Sequence, residues 1–125
     1  MILIGHALIP HAPFYHITTC EQIAQTPSSS TLLFEFDAIL ANYCKEQRVA
    51  FAMHVKQIKE LVLAHAMGAS FCVVDKALAA HAQKIAEAYL YDAKILLISH
   101  DEADIEFAAM HGIDGILFEE GIQTL

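Results

Sequence analysis

The chain reads as an α/β protein in three layers, a five-stranded parallel sheet with helices on both faces, preceded by an irregular N-terminal arm. Three observations predict this. Short runs that are apolar on both faces recur from residue 31 onward: LLFEF, VAFAM, FCVVD, KILLIS and GILFE. Segments with helical spacing separate them. The stretch Val49–Asp75 supplies strand, helix and strand in one pass, and its short connections call for parallel pairing through a crossover.

The elements follow in order. Residues 1–30 form the arm and linker. MILIG is at most a short strand, and Pro10 and Pro13 keep HALIPHAPFYH from forming a regular helix. Thr18 and Glu21 have capping-box spacing for a short helix, and TPSSS (26–30) is the clearest linker signal. Residues 31–125 form a single α/β domain. Its first strand is Leu32–Phe36, and Asp37 stands as N-cap to a helix over Ala38–Gln47. Next come strand VAFAM, a helix over Lys56–Met67 stopped by Gly68, and strand FCVVD. The helix Lys76–Leu90 carries Leu78, Ala82, Ile85 and Tyr89 on one stripe. Strand Lys94–Ser99, helix Glu102–His111 with Asp101 ahead of it and Gly112 behind, and strand Gly115–Glu119 complete the series.

Composition narrows the functions. The chain is 56% apolar and 18% charged, with a formal charge of −8. That balance argues against nucleic acid and anionic membranes, whose phosphates need clustered Lys and Arg. No apolar run approaches the roughly 20 residues of a membrane helix. A cytoplasmic location is expected, with the apolar excess used in a homo-oligomer or against a protein partner. Of three cysteines without CxxC spacing, Cys44 and Cys72 fall in apolar segments and are expected to fill core space, which leaves neither activated as a nucleophile.

In open parallel sheets, ligands bind beyond the carboxyl ends of the strands. That edge carries Glu35, Asp37, His54, Asp75, Ser99, His100, Asp101, Glu119 and Glu120. Glu35, Asp37, His54, Asp75 and His100 make a candidate set for a divalent cation, since carboxylates suit Mg²⁺ and added imidazole suits Zn²⁺. Asp75, Ser99 and Glu119 outline a candidate ligand pocket. The plainer reading is that Asp37 and Asp101 cap helices while the other acids are solvated. His6, His11 and His16 recur every five residues and fit no helix face; they read as surface or interface residues. His65 and His111 precede helix-ending glycines, where imidazole suits the helix dipole, and His81 reads as a packing residue.

KILLISHDEADIEFAAMHGIDGILFEE resembles the fourth strand, fourth helix and fifth strand of response-regulator receiver domains. FCVVD looks like their third strand and LLFEFD like their first. The resemblance spans about residues 31–120. It implies a flavodoxin-like strand order 2-1-3-4-5, Asp75 as phosphoacceptor, Glu35 or Asp37 holding Mg²⁺, and Ser99 as switch hydroxyl. Where receivers carry a fifth-strand Lys this chain has Glu119 and Glu120, which repel a phosphoryl group. A degenerate, receiver-like regulator is therefore what the resemblance implies. GIDGILFEEGI is also similar to late βα units of phosphate-binding (β/α)8 barrels, which implies a half-barrel with order 1-2-3-4-5. Here too the two glutamates replace the residues that would grip phosphate. The 2-1-3-4-5 order is favoured, because a five-stranded half-barrel exposes its inner face and both edges. The expected function is non-catalytic, through self-association or protein binding. The alternative is a divalent-metal protein or metal-dependent enzyme at the acidic, histidine-bearing edge.

Overall fold

Every strand of this chain runs in the same direction, and eight of them make one sheet. A computed structural model describes residues Met1–Leu125. In chain order the strands are β1 Ile2–Ile4, β2 Phe14–His16, β3 Thr31–Glu35, β4 Phe51–His54, β5 Phe71–Val74, β6 Lys94–Ser99, β7 Gly115–Phe118 and β8 Ile122–Thr124. The helices are α1 Ala38–Glu46, α2 Ile58–Ala66, α3 Lys76–Ala88 and α4 Asp104–Met110, with short 3₁₀ segments at Cys20–Gln25 and Glu119–Gly121.

The sheet order is β1-β7-β6-β5-β4-β3-β2-β8, all parallel. The five strands expected from the sequence are β3 to β7, and they lie side by side in chain order. The expected 2-1-3-4-5 sheet with helices on two faces is therefore overturned. So is the irregular arm, because β1 and β2 are built into the sheet.

The physical reason is closure. The sheet is a strongly curled half-barrel, and three short strands (β1, β2, β8) extend the curl until its two edges touch. Passing from β7 to β8, the chain crosses the carboxyl end of β1, where Gly5 and Gly121 press backbone to backbone. A Cβ on Gly5 would lie 2.4 Å from the Gly121 nitrogen. Carrying the residue pairing from β8 around through β7 to β1 and comparing it with the Gly5–Gly121 contact gives a stagger of eight residues. Eight parallel strands with that stagger make a strongly curled sheet.

Curling separates two cores. The inner one takes one buried residue from each of seven strands: Ile4, Phe14, Leu33, Ala52, Val73, Leu96 and Leu117. Ile122 of β8 packs against it. The inner face is thus filled by the chain itself, which removes the objection to a half-barrel. The outer core lies between sheet and helices and holds the alternate residues, among them Leu32, Phe34, Met53, Cys72, Ile95 and Leu97. In α3 the buried residues are Ala79, Ala82, Gln83 and Ala86, so the stripe is turned by about a residue from the expected one, and Tyr89 and His81 are exposed. Small alanines let α3 lie close on the strands. Gln83 is satisfied there by accepting from the Asp114 backbone N–H at 2.9 Å. No helix is long and apolar enough to cross a membrane.

The edge contact yields a test. Gly5 has φ +91°, a conformation that penalises any Cβ, and the space is already taken by Gly121. Gly5→Ala is expected to destabilise the fold by about 2–4 kcal/mol, combining left-handed strain with a backbone clash. Urea unfolding of the two proteins measures it. A loss under about 0.5 kcal/mol, the range of an ordinary surface substitution, would mean that the edges do not need this contact.

Candidate functional site

Strand periodicity places chemistry at one end of the sheet. Side chains two apart on a strand share a face. On β2, β3 and β4 the buried inner residues Phe14, Leu33 and Ala52 are followed two positions later by His16, Glu35 and His54. Just past the ends of β1, β5 and β6 stand His6, Asp75 and His100. The carboxyl-terminal mouth of the curled sheet is therefore ringed by imidazoles and carboxylates above an aliphatic floor. A cavity of about 200 Å³ opens there, lined by His16, Leu33, Glu35, His54, Ile98 and Ile122.

The best-defined constellation centres on His54. Its Nδ1 lies 3.1 Å from Glu35 Oε2 and its Nε2 lies 3.3 Å from Asp75 Oδ1. The ring is 15% exposed, whereas the two carboxylates are more than half exposed. A neutral imidazole carries one N–H and can donate to one carboxylate only; the imidazolium donates to both. The Asp75 contact has hydrogen-bond geometry, and Glu35 stands within ion-pair distance of the other nitrogen, at the rim of a cavity.

Capping decides which acids are free for this. Asp37 Oδ1 accepts the backbone N–H groups of Ile39 and Leu40 at 2.9 and 3.0 Å, so that side chain is spent on starting α1. Asp75 occupies the same position before α3 but makes no capping hydrogen bond with its side chain, and turns to His54 instead.

The remaining candidates go elsewhere. His6 accepts the Leu8 N–H on Nδ1 at 3.1 Å, which requires the proton on Nε2, 3.1 Å from Glu102 Oε1. His100 shares a separate hollow with His6, Glu102 and Glu120. Of the five residues expected to bind a divalent cation, the structure joins Glu35, His54 and Asp75, spends Asp37 on a cap and sets His100 apart. No group of three or more His, Cys, Asp or Glu side chains is arranged to hold a metal ion. The expected ligand pocket of Asp75, Ser99 and Glu119 is likewise divided. Ser99 is buried, donates to Asp104 Oδ2 at 2.7 Å and accepts the Asp101 N–H at 3.0 Å, while Glu119 is exposed on the turn after β7. His16 was legible by the two-residue spacing from Phe14, had Phe14–His16 been taken as a strand. His11 is exposed and contacts only the neighbouring Ala12 carbonyl.

Burial shapes the other titratable groups. Burial pushes the Cys72 thiol up to about 12 and that of Cys44 up to about 11, so neither is a thiolate near neutrality. The Ser99 hydroxyl, and after it the ammonium of Lys76 at 3.0 Å, hold the Asp104 carboxyl below its ordinary range. These contacts tie the start of α4 to β6 and α3, and so fix one side of the mouth. Compared with known proteins, the chain matches no family model and no curated protein sequence.

The Asp104 contacts have a defined pH signature. A carboxylate whose pKa is lowered by folding stabilises above its unfolded value and loses that contribution as pH falls through the folded one. Asp104→Asn is expected to cost about 1–2 kcal/mol at neutral pH. The gap between the two proteins should close as pH drops below about 4. Melting temperatures from pH 7 to 2.5 check this. A gap constant across that range would show that the ion-paired form contributes nothing.

Proposed function

We propose that the carboxyl-terminal mouth binds a small polar molecule, uncharged or cationic, and that His54 exchanges a proton with it. The observation that carries this reading is the placement of His54 between Glu35 and Asp75 at the rim of the cavity. An imidazole with a carboxylate on each nitrogen can give or take a proton while the second carboxylate keeps the ring oriented. Glu35, Asp75, Glu119 and Glu120 make the surroundings negative, which disfavours phosphorylated ligands and favours amines or polyols. Eight parallel strands curled this way support the choice of end, since such sheets carry their ligands beyond the strand carboxyl termini.

The test is a ligand screen by amide and side-chain NMR over amines, amino acids and polyols. Binders are expected to perturb His16, Glu35, His54 and Asp75 together. His54→Gln should weaken them about tenfold or more, the loss of one good hydrogen bond to a charged partner. Mg²⁺, Mn²⁺ and Zn²⁺ belong in the same screen. Saturable broadening at Glu35 and Asp75 by an ion would replace the proton-exchange reading with a divalent-cation one. Hits that map away from the mouth, unaffected by His54→Gln, would end it.

Self-association is the second reading, supported by a different observation. Tyr89, Leu90 and Met110, at the ends of α3 and α4, are 74%, 85% and 85% exposed. Large side chains so exposed are suited to burial against a second copy. Light scattering at micromolar concentration is expected to give a dimer mass that Leu90→Asp with Met110→Asp reduces to a monomer; a monomer mass for the parent protein excludes it.

A further inference from the structure

The largest cavity, about 510 Å³, lies at the opposite end, between the segments that enter β3 and β4. Its wall is polar: Thr26, Ser28, Ser29 and Ser30 on one side, Gln47 and Arg48 on the other. Arg48 is the chain's only arginine.

The wall carries no carboxylate, and its exposed polar groups include donors that no other part of the chain uses. The Thr26 hydroxyl donates to the Ile23 carbonyl and the Ser30 hydroxyl to the Pro27 carbonyl. The side chains of Ser28, Ser29, Gln47 and Arg48 make no hydrogen bond within the chain. Nor do the backbone N–H groups of Ser28 and Ser29.

Backbone conformation singles out the same place. Only Ser29, Arg48 and Leu90 among non-glycine residues have positive φ, and the first two face this cavity. All four α-helices end on a left-handed residue, and the following N–H returns to the carbonyl five residues back. Two of them use Gly68 and Gly112 there, whereas α1 uses Arg48. Glycine would end α1 with less strain; α3 carries Leu90 at the equivalent position, so two of the four helices place a side chain there.

We propose that this cavity is an oxyanion site that takes the phosphate group of a phosphorylated small molecule. The two-pronged guanidinium fork pairs with two oxygens of a carboxylate or of a phosphate. A phosphate has a third oxygen, and the Ser28 and Ser29 hydroxyls and N–H groups are left for it. The cavity is much larger than free phosphate and accommodates the remainder of an ester. The site is separate from the mouth, and its polarity is opposite.

Arg48→Gly makes the test clean, because glycine suits the left-handed position and the fold should melt at the same temperature or higher. Amide NMR titrations with glucose 6-phosphate, inorganic phosphate and acetate in 0.1 M NaCl provide the readout. The expected result is saturable shifts at Ser28, Ser29, Ser30 and Arg48. Glucose 6-phosphate should bind tighter than phosphate, acetate should not saturate, and Arg48→Gly should weaken the ester about tenfold or more. No saturable shift at these amides, unchanged binding in Arg48→Gly, or an ester no tighter than phosphate or acetate would overturn the proposal.

Discussion

The contact between Gly5 and Gly121 is the constraint on which the rest of this structure depends. A parallel sheet of short strands has two costs, an inner face open to water and two edges of unpaired backbone. Here the curl brings the edges together at the carboxyl end of β1, and neither backbone leaves room for a side chain. Strand pairing sets Ile4 beside Leu117 and Phe14 beside Leu33, and the curl gathers all four into one inner core. The inner core and the edge contact are therefore both consequences of the curl.

Curling also gives the mouth its chemistry. In a flat sheet Glu35, His54 and Asp75 would lie on a ridge; in a curled one their strand ends converge on a shared hollow. Parallel pairing sets Glu35 directly against His54 and His54 against Val73, so Asp75 lies two residues further along the neighbouring strand. The contacts on both ring nitrogens follow from that register. The acids are separated by whether a helix start claims them. Asp37 is claimed by Ile39 and Leu40, and Asp75 is not.

The legible part of the chain was the part with long, strongly patterned elements. The strands and helices between residues 31 and 118 lie within a few residues of where apolar runs, caps and glycine stops put them. Hidden from that reading were β2 and β8, and β1 was visible only as a short strand without a place in the sheet; each is three residues long, too short for a period to register. Strand order was hidden for a related reason. Five strands alone argue for a flat sheet, since a five-stranded half-barrel leaves its inner face bare; the three short strands reverse that conclusion. The His54 and Asp75 pairing followed from the same choice, because a first strand inserted between β4 and β5 would have kept them apart. His16 reads from sequence as a surface or interface residue, because the strand that carries it to the mouth is too short to register. The Asp37 cap was legible, as one carboxylate before one helix, whereas the freedom of Asp75 depends on a histidine distant in sequence.

The two ends of the sheet differ in a way that strand length makes consequential. A strand rises about 3.3 Å per residue, so the four residues of β4 separate its ends by about 13 Å. The floor between them is filled by Leu33, Ala52, Val73 and Leu96, which leaves no polar path through the interior. A small molecule at the mouth and an anion beside Arg48 thus occupy independent sites, screened from each other by distance and by packed side chains. Any influence of one on the other has to pass through β3 and β4 as rigid elements, or through α1, which begins at the Asp37 cap beside the mouth and ends at Arg48. That helix, like β3 and β4, has a terminus at each site.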